Sequence, residues 1–243
     1  MIRDAPCTFL PWDSSFFGRR IARLRDGRLD AETLSETERW CRDERIDGLY
    51  FLADSSDPAT AALAEEAGFR LVDVRVTLGR PLAKSPPPVP ATGSPIRSAR
   101  PDDLLALRRI AALSHRDSRF YADPHFARDR CDELYATWIE KSCAGDRNSA
   151  VWVAEIDGRA AGYVTALLAS EAGEIGLIAV ADEAQGRGLG KLLVSRALGD
   201  LATRGASRVS VVTQGRNVRA QRLYQRLGFS TESLGLWFHR WFA

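Results

Sequence analysis

Lysine is almost missing from this chain of 243 residues, occurring only at Lys84, Lys141 and Lys191. Nearly all of the 34 basic side chains are therefore arginine. So lopsided a ratio is a bias of the whole composition, and a single arginine becomes a weak site marker although its fork suits phosphate. The formal net charge of +2 excludes a bulk nucleic-acid binder. Four widely spaced cysteines (Cys7, Cys41, Cys131, Cys143) form neither a metal-type pair nor a disulfide framework. His115 and His125 straddle a polar loop without a cysteine or carboxylate cluster, so no metal site is expected. No apolar run approaches the ~20 residues that span a bilayer. The opening Met1-Ile2-Arg3-Asp4-Ala5-Pro6 has no basic-then-apolar export signal. The expectation is a reduced, cytoplasmic protein with no membrane or nucleic-acid partner.

What is present is ordinary for a globular α/β chain, with 45% apolar and 27% charged residues. Proline and glycine cluster between Pro81 and Pro95, where Pro86-Pro87-Pro88 and Thr92-Gly93-Ser94 interrupt all periodicity. This predicts a smaller N-terminal α/β unit over 1–80, a proline-rich linker over 81–95 and a main domain over 96–243. In the first unit the pattern predicts a helix over 31–45 and a buried strand over 48–53. A helix opened by Asp57-Pro58 and a strand over 69–78 follow. The main domain should start with a strand at 96–99 and a helix from Pro101. A loop over Ser114–Pro124 and a helix over 125–143 come next. Strands are expected at 150–156, 160–169 and 174–181, a helix at about 188–203 and a strand at 208–213. A helix at 217–227 and strands at 229–232 and 234–242 complete a mixed sheet covered by helices.

One segment carries chemistry. Gln185-Gly186-Arg187-Gly188-Leu189-Gly190 sits between the apolar run Ile175–Val180 and the helical pattern Lys191–Leu198. Alternating glycines at a strand-to-helix junction leave amides uncovered at the positive end of a helix, where a pyrophosphate can rest. The spacing matches neither the dinucleotide fingerprint nor the Walker lysine loop.

Together with the downstream run Asn217-Val218-Arg219-Ala220-Gln221-Arg222-Leu223-Tyr224-Gln225-Arg226-Leu227-Gly228-Phe229, this order of elements resembles the GCN5-related N-acetyltransferases (GNAT) over about 96–243. The resemblance implies acetyl-coenzyme A as donor and a mixed, mostly antiparallel sheet flanked by helices. It places the pyrophosphate on the amides of Gln185, Gly186, Arg187, Gly188, Leu189 and Gly190, and lays the pantetheine arm along Leu177, Ile178, Ala179 and Val180. Asn217 matches a coenzyme contact, and Tyr224 matches the tyrosine near the coenzyme sulfur. A phenol with pKa ~10 is suited to protonate a departing thiolate; the other reading of Tyr224 is a core aromatic. A backbone amide near Ile178–Val180 would hold the oxyanion.

A narrower resemblance, to acetyltransferases of nucleotide-linked amino sugars, rests on Trp12–Gly18, Ser118–Ala122, Tyr135–Glu140 and Thr213–Asn217. It implies a small-molecule nucleotide amino sugar as acceptor; the other readings are the same chemistry on a peptide N-terminus, an antibiotic or a polyamine, and an acetyl-coenzyme A-binding protein without catalysis. Leu223 departs from it, since the relative carries arginine there. Asp73, where the relative has glutamate, reads either as an edge-strand aspartate or as the group that takes the amine proton, through water. Within Ser114–His125, Arg116 and Arg119 read as diphosphate contacts or as surface charge, and Phe120 or Tyr121 as rings that stack on base or sugar. His115 and His125 read as helix-end histidines or as aids to deprotonation. Trp12, Phe16 and Phe17 should staple the N-terminal arm to the core. The exposed half of Trp237–Phe242 is expected to pack on a second copy, as in a homodimer. Asp57–Phe69 aligns without a gap on Asn217–Phe229, with Ala64 at the place of Tyr224, so residues 1–80 read as a partial copy of the catalytic unit that lacks the acid, serving as scaffold and substrate wall, or as a chance likeness of two helix–Gly–Phe–strand units.

Overall fold

The computed structural model describes residues 5–82, 94–145 and 148–242; most of the proline-rich segment lies outside these. The chain opens with β1 (Cys7–Phe9), α1 (Pro11–Phe17) and β2 (Ile21–Leu24). Then come α2 (Ala31–Asp43), β3 (Gly48–Asp54), α3 (Pro58–Glu66) and β4 (Arg70–Pro81). After the linker follow β5 (Ile96–Ser98), α4 (Leu104–Ser114), α5 (Arg119–Ala122) and α6 (Arg128–Cys143). The hairpin strands β6 (Ser149–Ile156), β7 (Arg159–Ala169) and β8 (Ala172–Val180) lead to α7 (Leu189–Thr203). The chain ends with β9 (Arg208–Gln214), α8 (Val218–Arg226) and β10 (Ser230–Trp241).

All ten strands join one sheet in the order β1-β2-β3-β10-β4-β9-β8-β7-β6-β5. Most neighbours are antiparallel; β2 with β3 and β8 with β9 are parallel. Alternation along each strand sends apolar side chains to both faces, where helices cover them. One core packs Val76, Leu78 and Val211 under α7 and α8, with Leu193, Val194 and Tyr224. A second packs Phe51, Phe69 and Phe238 with Ala64 and Cys41 of α3 and α2. The opposite face meets α4–α6 through Tyr50, Tyr163, Leu107 and Tyr135. Among the described residues no helix is long and apolar enough to cross a membrane.

Four expectations change. The segment before residue 31 is more than an arm: it forms β1, α1 and β2, and β2 pairs with β3. The aromatic staple does form, since Phe17 packs 4.4 Å from Phe126 and Trp12 stacks 5.0 Å from Phe16. The loop over 114–124 contains the short helix α5. The last two strands are one, β10, with a register shift between Thr231 and Ser233. Finally, the half of Trp237–Phe242 expected to be exposed is partly covered within the chain. The strand β10 lies between β3 and β4, so Phe238 and His239 are buried and Trp237 and Trp241 pack within the chain.

Candidate active site

The site begins with a parting of strands. Strands β8 and β9 pair from Ala172 and Arg208 only as far as Ile175 and Val211, although β8 runs on to Val180 and β9 to Gln214. A register shift between β7 and β8 at Val164–Ala166 bends β8 away at this point. The Thr165 hydroxyl accepts the Leu177 N–H at 2.8 Å, a bond a strand neighbour would otherwise supply. Gly176 makes room for it, because a Cβ there would lie 2.8 Å from Thr165 Oγ1. The result is a V-shaped gap flanked by Leu177, Ile178, Ala179 and Val180.

The glycine loop lies at the open end of that gap. Gly186 and Gly188 both have φ +77, a left-handed conformation that disfavours other residues. Gly188 is the N-cap of α7 and supplies no side chain to the first-turn amides. The Lys191 N–H turns back to Gly188 O at 3.1 Å, and the Leu189 and Gly190 donors stay available at the positive end of a 15-residue helix. Gly190 lets α8 close in, since a Cβ there would meet Leu223 Cδ2 at 3.3 Å. Leu223, the departure noted above, thus packs against the loop's own helix. Gln185 ties the parts together. Its amide donates to Asp182 Oδ1 at 2.7 Å, and its carbonyl accepts from Arg219 Nη1 at 2.5 Å. Arg187 is exposed, and Leu189, the first residue of α7, is buried.

Asn217 caps α8, its Oδ1 accepting the Ala220 N–H at 3.0 Å, which leaves its amide NH2 free of that role. Tyr224, two turns on, is 2% exposed and packs 5.7 Å from Phe229. Burial alone raises its pKa, so the phenol stays protonated at any physiological pH. The protonated form is what a proton donor requires.

Asp73 lies on the opposite face, on β4, opposite Trp237 in register. It is 5% exposed; burial pushes its pKa up to about 6, with Arg216 pulling the other way from 4.0 Å. Its Oδ1 also accepts the Val74 N–H at 2.8 Å. A hollow of about 250 Å3 opens there, lined by Leu71–Val74, Gly215 and Arg216. A carboxylate poised close to neutrality can take a proton.

The loop over 114–125 is held by a buried relay. Asp123 is 2% exposed and accepts from His239 Nδ1 at 2.6 Å, Trp241 Nε1 at 2.8 Å and the His125 N–H at 3.0 Å. Burial works to raise its pKa, but these donors outweigh it and hold the carboxyl well below the usual range. The other nitrogen of His239, Nε2, sits 2.7 Å from Arg119 Nη1. A guanidinium can only donate, so Nε2 accepts and Nδ1 carries the hydrogen toward Asp123. Burial keeps His239 neutral, with a pKa near 4. Arg119 is further fixed over the rings of Tyr50, Phe120 and Trp237 at 4.2–4.4 Å.

Of the loop residues named from sequence, Arg119 is lodged in this cluster and Arg116 is exposed. Phe120 is 3% exposed in the aromatic core, so its ring anchors α5 to Phe17 and Phe126 and is not available to stack on a ligand. Tyr121 is half-buried and hydrogen-bonds Asp132. His115 donates to or accepts from Tyr163 at 2.9 Å, and burial lowers its pKa to about 4. Asp123 and His239 escaped the sequence reading. The signals were an Asp-Pro-His turn at 123–125 and a histidine amid the apolar residues of the last strand.

The comparisons agree with this geometry. Residues 109–229 match the acetyltransferase (GNAT) family. The chain is 31% identical over 235 residues to dTDP-fucosamine acetyltransferase of Escherichia coli, covering 95% of this chain and 96% of that one. The protein belongs to the GNAT family and is an acetyltransferase. It is also 31% identical over 141 residues to the spore coat polysaccharide biosynthesis protein SpsD of Bacillus subtilis, spanning 58% of this chain and 48% of that one. Among solved structures, a GCN5-related N-acetyltransferase from Sphaerobacter thermophilus shares the fold at TM-score 0.68 and 18% identity, over 97% of this chain and 76% of that one.

Proposed function

We propose that the protein transfers an acetyl group from acetyl-coenzyme A to the amine of a nucleotide-linked 4-amino-4,6-dideoxy sugar by direct attack. The observation that carries the donor is the strand gap beside the uncapped glycine turn: unpaired strand edge for an amide-bearing arm, free helix amides for a pyrophosphate. What supports the acceptor is the end-to-end similarity to a dTDP-fucosamine acetyltransferase, together with the Asp73 hollow on the opposite face.

In this reading the amine nitrogen attacks the thioester carbonyl, a C–N bond forms and the C–S bond breaks. Asp73, through water, takes the proton lost by nitrogen, and Tyr224 donates one to the departing sulfur. An amide of β8 within Leu177–Val180 steadies the oxyanion. The relay from Asp123 through His239 holds Arg119, whose guanidinium lies over Trp237, the register partner of Asp73. The test is a panel of TDP- and UDP-linked amino sugars, free amino sugars, peptides and polyamines assayed for thiol release. Turnover confined to peptides or polyamines would overturn the acceptor assignment.

A further inference from the structure

The face that carries Asp73 has a second hollow, of about 360 Å3, running from β4 across β10 to β3. Arg75 and Thr77 of β4, Ser233 and Gly235 of β10, and Leu52 and Asp54 of β3 line it. Alternation along β4 puts Arg75 on the same side as Asp73, two residues or about 6.6 Å further on. Arg75 is half-buried, and its Nε is closed off from solvent without a hydrogen-bond partner. Among the described residues its guanidinium enters no ion pair. A partly buried cation left without a partner is unfavourable alone and favourable once an anion meets it.

The rest of the hollow is of a different character. Leu52 leans over Gly235, where a Cβ would come within 2.7 Å of Leu52 Cδ1, so the floor is apolar. The hydroxyls of Thr77 and Ser233 rim it. Asp54 already accepts from the Ser56 N–H at 2.9 Å and faces Arg28 at 3.6 Å, so its charge is spoken for while its oxygens can still accept from a ribose hydroxyl. A cation for the diphosphate, hydroxyl and carboxylate acceptors for a sugar hydroxyl and an apolar floor for the base are the chemistries a nucleoside diphosphate needs. The step from Asp73 to Arg75 is about the span of one pyranose ring, from an amino substituent to the phosphate on the far carbon.

We propose that this hollow is the nucleoside diphosphate subsite of the acceptor, with Arg75 on the diphosphate. The assignment rests on the reading of the acceptor as a nucleotide-linked sugar. Arg75 suits the role better than the loop arginines do, because Arg116 is exposed and one edge of Arg119 is engaged by His239.

The experiment compares wild type with Arg75→Gln and with Ser233→Trp, whose exposed position allows a bulky ring to fill the hollow without entering the core. Each protein is titrated with thymidine diphosphate and with acetyl-coenzyme A by calorimetry. Each is then assayed with TDP-linked and with free amino sugar. Both variants are expected to bind thymidine diphosphate roughly tenfold to a hundredfold more weakly and to raise KM for the linked sugar alike. Affinity for acetyl-coenzyme A and turnover of the free sugar should stay as in wild type. Unchanged thymidine diphosphate affinity in both variants, with the linked sugar still acetylated, overturns the subsite and leaves the acceptor reading intact. Nucleotide binding that is lost in both variants, with no sugar acetylated by any of the three, supports the subsite and overturns the acceptor reading.

Discussion

Residues 48–81 and 208–241 trace the same path, and the two copies differ in what the backbone beside them leaves unpaired. In each, a strand of seven residues leads to a helix of nine and a strand of twelve. Asp57 and Asn217 cap the two helices, Gly68 and Gly228 end them at φ +79 and +82, and Phe69 and Phe229 are both 4% exposed. Upstream, β2 runs parallel to β3 as β8 does to β9. The differences are local. Asp30 caps α2 by accepting the Thr33 N–H at 2.7 Å, whereas Gly188 leaves the start of α7 uncapped by any side chain. That backbone hydrogen bond from Thr33 holds the Asp30 carboxyl below the usual range, so an anion approaching α2 meets a carboxylate. The Asp54 N–H donates to Gly27 O at 2.8 Å, tying the loop after β2 to the end of β3, where β8 and β9 part. Ala64 is buried where the first unit would need a phenol. At the β8–β9 gap and the start of α7 the backbone is left short of partners; the N-terminal unit supplies those partners itself.

The contrast can be broken most severely at the phenol. Tyr224→Phe should lower kcat by roughly 10² to 10⁴ while acetyl-coenzyme A affinity, measured by calorimetry, holds. Undiminished turnover would return Tyr224 to the status of its counterpart, a packing residue.

Asp73→Asn comes next. Wild-type activity should climb through about pH 6 as the carboxylate loses its proton, and the variant should lose that limb of the profile. The linkage has a definite sign. A folded pKa raised above the unfolded one makes the stability contribution greatest at low pH and removes it as pH rises through about 6. The asparagine variant should therefore be more stable than wild type above that pH, by on the order of 1–3 kcal/mol in denaturant titrations. An activity profile that kept its acid limb would show that another group takes the proton.

Gly188→Asp transplants the carboxylate of the N-terminal unit onto α7. The left-handed φ is one aspartate tolerates, so the chain should fold while acetyl-coenzyme A binding weakens roughly tenfold to a hundredfold. Equal affinity would mean that the α7 amides do not face the pyrophosphate. The smallest effect belongs to the reciprocal change. Asp30→Ala should lower the melting temperature slightly and leave the KM for acetyl-coenzyme A where it is, because the Gly27–Asp54 bond still ties down the loop. A gain of coenzyme binding to the N-terminal unit would show that the cap alone silences it.

Much of the donor site was legible because its cues are local. Gly186, Gly188 and Gly190 at a strand-to-helix junction, followed by the Asn217–Phe229 run, specify backbone dihedrals and a cap within a few residues. Such cues survive without knowledge of the sheet. The helix expected over 31–45, observed as Ala31–Asp43, and the helix opened by Asp57-Pro58 follow for the same reason. The acceptor side was legible only in part. Asp73 came from a likeness and Arg119 from its loop, but the relay that holds Arg119 joins residues 116 and 120 positions apart along the chain. Phe120 misled because an aromatic in a polar loop looks available for stacking until α5 folds it inward.

The chain alone determined most of the elements from residue 31 onward, the Asp57-Pro58 helix start and the family, since period, glycine placement and capping chemistry act over one or two turns. Tertiary structure decided where β10 lies. Placing it between β3 and β4, with β4 in turn between β10 and β9, sets each unit's last strand inside the other. That exchange brings His239 to Asp123 and Trp237 to Asp73, and it partly covers the aromatics that looked free for a second copy. Strand order is settled by which long-range pairings bury the most apolar surface with every backbone group satisfied, and nothing local in the sequence encodes it.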